Sequence, residues 1–279
     1  MLDKTTPKQP YGTMSGVKLD TDFKNLDRSE IDRFAALASE WWNPNGKFRT
    51  LHDIGPVRLS YIRDRICHHY NRNPLAHQCL KGLHILDIGC GGGLIAEPLN
   101  RLGANVTAID PGPDSIQAAR HHAQGQNLDI EYRVADAGEL ASAKMIFDAV
   151  LCLEVAEHVP DMPMLVRTCA ELTKEHGLTI FSTIHRTLKS FALAIIGAEY
   201  ILRWLPIGTH SWDRFITPEE LRAAMHVAGL KPVDMKGLIF NPIAGDWQLS
   251  ADTDVNYFAA AERQGRAKPS TDVSTLLHP

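Results

Sequence analysis

The sequence predicts an α/β domain built on a mainly parallel sheet. Three observations carry that prediction. Short apolar runs alternate with helical patterns through residues 84–184, the runs end in polar or glycine-rich segments, and a strand–loop–helix unit reads LDIGCGGGL at 86–94. Such alternation implies right-handed crossovers, with ligands bound beyond the carboxyl ends of the strands.

The elements follow in order. From Ser29, SEIDRFAALASEWW spaces Ile31, Phe34, Ala35, Leu37 and Ala38 helically behind a serine cap. VRLSYIRDRICHHY, 57–70, continues the pattern as a second helix before the alternating region. HILDIG (84–89) is a strand, LIAEPLNRLG (94–103) a helix closed by Gly103, NVTAID (105–110) a strand and PDSIQAARHHAQGQ (113–126) a helix. IEYRVAD (130–136), FDAVLCLE (147–154) and LTIFSTI (178–184) are further strands, with a helix over 163–177. Beyond Ile184 the regularity loosens until TPEELRAAMHVAG (217–229), a capped helix, and VNYFAAAER (255–263), a closing strand. Residues 185–216 read as an insertion that carries specificity. The polar ends, 1–28 and 265–279, lack periodicity and are expected to be disordered, leaving 29–264 as a single domain.

Bulk composition narrows the function classes. The chain has 279 residues, 44% of them hydrophobic, enough for a sizeable core. A net charge of -4 with scattered Lys and Arg gives no nucleic-acid surface. Five cysteines, odd in number and mostly in apolar segments, suit reduced thiols. MLDKTTPKQPYGTMSG has neither a signal core nor the arginines of a transit peptide, so a bacterial cytoplasmic protein is expected. FALAIIGAEYILRWLPI, 191–207, is interrupted by Glu199 and Arg203 and is shorter than the roughly 20 residues of a spanning helix. Pattern alone favours a core helix there, while Lys189, Arg203 and Arg214 leave a membrane-surface role open.

The glycine loop selects its ligand by what it lacks. A dinucleotide fingerprint would place glycine at 94, where Leu94 stands, and Asp87 just before the loop would repel a pyrophosphate. A ligand without phosphate, and cationic, fits better. Asp110 ends the second strand, where an acid takes both hydroxyls of a ribose, and Asp136 after the third strand is placed for an adenine amino group. Adenosine with a positive charge and no phosphate describes S-adenosylmethionine, bound by Gly89, Gly91, Asp87, Asp110 and Asp136. Taken alone, the loop also reads as a tight turn, the less favoured of the two readings.

After the fourth strand, EVAEH supplies Glu154, Glu157 and His158. In a helix these positions share one face, so two carboxylates and an imidazole converge. That set suits Mg2+ or a similar hard cation; the plainer reading is solvated acids with a capping histidine. A phenol, with a pKa of about 10, needs help to lose its proton before it accepts a methyl group. A metal would lower that pKa, and His158 as general base would do so without one. CHHYNRNPLAHQC (67–79) has no familiar zinc spacing and reads as an ordinary helix end.

With these residues in place, the sequence resembles the ubiquinone biosynthesis O-methyltransferases, class I S-adenosylmethionine enzymes, from about Ile31 to about Arg263. The glycine loop and EVAEHVPD (154–161) carry part of the resemblance. WWNPNGKFRTLHDIGPVRLSYI (41–62), GAEYILRWLPIGTH (197–210) and DVNYFAAAER (254–263) make it specific. The resemblance implies a Rossmann-like, mostly parallel seven-stranded sheet flanked by helices, with N-terminal helices and an inserted substrate or membrane-contact segment. It places Arg58 on the methionine carboxylate of the cofactor, Gly89 in the loop, Asp110 on the ribose and Leu153 in a backbone contact. It implies Mg2+ at Glu154, Glu157 and His158, since the family's eukaryotic branch is thought to use magnesium there. Implied substrates are a polyprenyl catechol, 2-polyprenyl-6-hydroxyphenol, and 3-demethylubiquinol. Implied partners are the inner face of the plasma membrane, met by GAEYILRWLPI, and other ubiquinone-biosynthesis enzymes. Competing readings are a methyltransferase of another small acceptor, an NAD oxidoreductase, which Leu94 and Asp87 disfavour, and a non-catalytic membrane-associated subunit that binds the nucleoside.

Overall fold

The computed structural model describes residues 25–187, 214–241 and 244–265. Helices α1 (Arg28–Ala35) and α2 (Arg49–His69) lead into β1 (His84–Ile88), α3 (Ala96–Arg101), β2 (Asn105–Asp110), α4 (Pro113–Gly125) and β3 (Ile130–Val134). Then come α5 (Ala137–Ser142), β4 (Phe147–Leu153), α6 (Met162–Leu172) and β5 (Thr173–Ile184). Helix α7 (Pro218–Val227) and strands β6 (Leu230–Asn241), β7 (Asp246–Ser250) and β8 (Asn256–Arg263) complete the described chain.

All eight strands join one sheet in the order β3-β2-β1-β4-β5-β8-β6-β7. Neighbours from β3 to β5 pair in parallel, while β8 runs antiparallel between β5 and β6. The six strands read from the sequence are β1 to β5 and β8; β6 makes up the seven that the resemblance implies, and β7 is an eighth, paired antiparallel to β6. Strand order reverses between β1 and β4, opening a crevice at their carboxyl ends.

Alternation along β1 shows how the core divides. Ile85 packs on one face with Ile62, Ile66, Leu99 and Ile116 of α2, α3 and α4. Leu86 packs on the other with Val150, Phe181, Leu221 and Met225. A strand buried on both faces reads as a continuous apolar run, which is why HILDI was legible. Truncating a fully buried residue such as Ile62 to alanine costs about 2–5 kcal/mol.

Several expected boundaries shift. The cap of α1 is Asp27, whose carboxylate accepts from the Ser29 amide at 3.0 Å and the Ser29 hydroxyl at 2.6 Å. The helix ends at Ala35 and a 3-10 turn takes Ala38–Glu40, so SEIDRFAALASEWW is not one helix. Helix α2 starts before Val57 and runs through Pro56, its eighth residue, where the missing amide removes one bond from the helix interior. Helix α6 stops at Leu172 rather than 177. The hydroxyl of Thr173 bonds back to the Cys169 carbonyl at 2.7 Å, and the chain leaves in extended geometry as β5. Helix α7 starts in a full capping box between Thr217 and Glu220.

Residues 25–28, within the segment expected to be disordered, are structured: Asn25 exchanges two 2.8 Å hydrogen bonds with the backbone of Asp161. Residues 1–24 and 266–279, and most of the insertion expected over 185–216, lie outside the described residues. Among the described residues, no helix is long and apolar enough to cross a membrane.

Candidate active site

The glycine loop hangs between the ends of β1 and β2. The amides of Gly89 and Cys90 both donate to the Ile109 carbonyl, at 2.8 and 3.0 Å. Asp110 then ties the loop to the second strand: one carboxylate oxygen accepts from the Gly91 amide at 3.0 Å, the other from the Gly112 amide at 2.8 Å. Burial pushes the Asp110 carboxyl up to about 6, with the two backbone donors pulling it back.

The glycines answer to protein side chains. A Cβ on Gly89 would stand 2.4 Å from Val155 Cγ2, and one on Gly91 2.4 Å from the outer ring of Trp41. On Gly92 it would meet Trp41 at 2.4 Å, and on Gly93 the Tyr132 hydroxyl at 2.3 Å. Gly89 and Gly91 also sit at φ +70 and +51, where L side chains are strained. These glycines clear room for Trp41, Tyr132 and Val155.

Beneath the loop lies a buried group of charges. Asp87 is 3% exposed, and burial pushes its carboxyl up to about 7, the Arg58 guanidinium lowering it and Asp110 raising it. Arg58, on α2, is 6% exposed and donates through Nη2 to Glu154 Oε1 at 3.2 Å. Arg58 Nε and Asp87 Oδ2 are buried without a hydrogen-bond partner among the described residues. A buried donor of positive charge beside a buried acceptor of negative charge complements an amino-acid zwitterion. The methionine end of S-adenosylmethionine has that chemistry, so these residues fit it.

EVAEH does not form the shared helical face expected of it. Leu153 ends β4, buried, and Glu154 takes a left-handed φ of +55. The three residues Ala156–His158 then make one 3-10 turn. Glu154 Oε1 accepts from Ser182 Oγ at 2.9 Å as well as from Arg58. Glu157, 3% exposed, accepts from Thr183 Oγ1 at 2.8 Å. Burial pushes the Glu157 carboxyl up to about 8, and the nearby Glu154 carboxylate adds to that. His158 lies half-buried, its ring edge-on to Phe34 at 5.7 Å. Among the described residues, no group of three or more His, Cys, Asp and Glu side chains is arranged to hold a metal ion. The two carboxylates are neighbours and each takes protein donors on one oxygen, while Glu157 Oε1 is buried without a hydrogen-bond partner among the described residues.

Asp136 follows β3 as expected, but its carboxylate caps α5 by accepting from the Glu139 amide at 2.8 Å. Gly89, Asp110, Asp87, Arg58, Leu153 and Glu154 thus gather at the ends of β1, β2 and β4, and Asp136 stands one strand further out. Sequence reasoning missed Trp41, Trp42, Tyr132 and Ser182. The adjacent indoles of WWNPNG were a usable signal, because large aromatics need a surface to cover.

The family described as Methyltransferase domain matches residues 59–234. The chain is 51% identical to the ubiquinone biosynthesis O-methyltransferase of Azorhizobium caulinodans, covering 84% of this chain and 92% of that protein. With the ubiquinone biosynthesis O-methyltransferase of Sinorhizobium fredii the identity is 50%, over 85% of this chain and 96% of the other. In structure it is similar to magnesium protoporphyrin IX methyltransferase from Synechocystis PCC 6803 with bound SAH: TM-score 0.61, 19% identity, 85% of this chain and 100% of that one. That likeness concerns the fold.

Proposed function

The chain belongs to the ubiquinone biosynthesis O-methyltransferase family, and on that premise we propose that it methylates phenolic hydroxyls of a polyprenyl catechol, 2-polyprenyl-6-hydroxyphenol, and of 3-demethylubiquinol. It is an S-adenosylmethionine-dependent O-methyltransferase with a class I fold. The observation that carries the site assignment is the buried pair of orphaned atoms, Arg58 Nε and Asp87 Oδ2. Arg58 would hold the cofactor carboxylate, and Asp87 the ammonium. Asp110 would accept the ribose hydroxyls, Leu153 make a backbone contact and Asp136 accept from the adenine amino group.

S-adenosylmethionine, when bound, supplies a methyl on a positively charged sulfur that leaves as a neutral thioether. The protein's part is to hold that sulfur and the phenol oxygen in line, and to take a proton. In our reading His158 takes the phenol proton on a ring nitrogen as the oxygen–methyl bond forms, a service worth about 10²–10⁴ in rate. Glu154 orients Arg58, and Glu157 stands behind the motif on Thr183.

Membrane contact belongs to the same proposal. The amphipathic stretch 191–207, with Lys189, Arg203 and Arg214 around it, has the pattern to meet the inner face of the plasma membrane or the prenyl tail. The stretch lies outside the described residues; Arg214, beyond it, pairs with Asp27 at 3.0 Å.

The test is calorimetric titration of the purified protein with S-adenosylhomocysteine, followed by methyl transfer to a short-chain prenyl catechol. Binding and transfer are expected, with transfer lost in His158→Ala. No binding would overturn the assignment, and full transfer by His158→Ala would remove the base.

A further inference from the structure

The glycine loop is gripped from outside the sheet by a chain of side chains that the reaction itself does not use. Trp42 Nε1 donates to the Gly92 carbonyl at 2.9 Å. Its indole lies flat on the ring of His122, centroids 3.5 Å apart and 7° from parallel. His122, on α4, places Nδ1 2.7 Å from Glu97 Oε1. Glu97 stands in the first turn of α3, its side chain 2% exposed, and its amide donates to the Gly93 carbonyl at 3.1 Å.

These contacts close a ring. It leaves the loop at the Gly92 carbonyl, passes through the segment before α2 and through α4, and returns to the loop at Gly93. Other groups face the same stack: His52 of α2 meets the Trp42 ring edge-on at 6.4 Å, and Arg101 approaches Glu97 Oε2 at 3.5 Å. Trp41 seals the adjacent stretch, its Nε1 3.2 Å from Ser115 Oγ. Breaking the ring leaves either the loop carbonyl without its donor or the buried Glu97 carboxylate with only the 3.5 Å contact of Arg101, and neither is tolerated cheaply.

We propose that Trp42, His122 and Glu97 are positioning residues that hold the glycine loop in its binding geometry before the cofactor arrives. The reading rests on the methyltransferase assignment above. Its physical route is short: Gly91, next to the gripped Gly92, donates its amide to Asp110 at 3.0 Å. A loop released at Gly92 moves the Gly91 amide off Asp110 and disorders the acid that receives the ribose. Affinity lost in this way falls on the cofactor, because the loop that the ring holds is the one assigned to the cofactor and carries the amide that fixes Asp110.

The experiment uses the full-length protein and two variants. Trp42→Phe keeps the stack and deletes the N–H; His122→Phe keeps the stack and deletes the bond to Glu97. S-adenosylhomocysteine affinity is measured by calorimetry, KM for cofactor and for acceptor by initial rates, and folding by thermal melting. Each variant is expected to weaken S-adenosylhomocysteine about tenfold, the worth of one hydrogen bond, and to raise the cofactor KM alike, with acceptor KM within about twofold of wild type. Either variant, folded, with unchanged S-adenosylhomocysteine affinity overturns the proposal, as does an equal rise in both KM values. If one variant fails to fold, the other decides by the same criteria. Wild-type protein that binds no S-adenosylhomocysteine overturns the methyltransferase assignment instead, so the two failures are distinguishable.

Discussion

Arg58 Nη2 meets Glu154 Oε1 at 3.2 Å, joining the middle of α2 to the residue that leaves β4 in a left-handed turn. The carboxylate is fixed from a second side by Ser182 Oγ at 2.9 Å. This pair links a helix outside the alternating unit to the sheet's crevice, and it presents the guanidinium beside Asp87. In the proposed assignment it makes α2 part of the binding site.

Arg58→Ala should therefore damage both folding and binding. The Glu154 side chain is 25% exposed and Arg58 7%, so the loss is that of a largely buried pair, about 3 kcal/mol of stability. S-adenosylhomocysteine binding should fall below detection in a calorimetric titration run where the variant is still folded.

Stability and affinity should respond to pH with opposite signs. Asp87 and Asp110 are raised from an ordinary value of 3.8 to about 7 and about 6, so the folded protein holds protons that the unfolded chain releases. Their contribution to stability is fully present below about pH 4 and is lost as pH rises through 6 and then 7. With ligand absent, the melting temperature should be higher at pH 5.5 than at pH 8, and Asp87→Asn should flatten that slope. Ligand affinity should run the other way, weakening as pH falls through about 7 and then 6, where Asp87 and then Asp110 lose the charges that receive the ammonium and the ribose.

Gly91→Ala carries two separable costs. One is the collision with Trp41 at 2.4 Å; the other is a backbone at φ +51. Thermal melting should show a loss of more than about 2 kcal/mol in the wild-type background. In a Trp41→Leu background the further loss on adding Gly91→Ala should shrink to about 1 kcal/mol, the backbone part alone.

Glu157 separates a packing role from metal ligation. With its carboxyl pushed up to about 8 it is mostly protonated at neutral pH, so Glu157→Gln should melt within a few degrees of wild type. Glu157→Ala, which opens a cavity beside Thr183, should lose about 2 kcal/mol. Adding Mg2+ should leave the melting temperature of wild type and Glu157→Gln equally unmoved; a magnesium shift seen only in wild type would make Glu157 a ligand.

Local pattern was enough for the strands that are buried on both faces. β1, β2, β4 and β5 are apolar runs, and β8 carries a run of buried residues, NYFAAAER. β6 escaped because LKPVDMKGLIFN mixes Pro232, Asp234 and two lysines into a strand that is buried only in part. α5 escaped because a helix of six residues holds too few turns to show a period. EVAEH misled for a different reason: an i, i+3, i+4 spacing presumes helical backbone, and Glu154 at φ +55 breaks it at the first residue.

By itself, the sequence determined the α/β class, the crevice at the strand ends, and the presence there of Gly89, Asp110 and the acids around EVAEH, because burial and turn preferences are written in short-range periodicity. The tertiary structure alone decided which groups face each other. Arg58 finds Glu154 across 96 positions of chain, and Trp41 and Trp42 find the glycine loop across about half that distance. No local period encodes such pairings; they exist only once the sheet order sets β1 beside β4 and the N-terminal helices close over both.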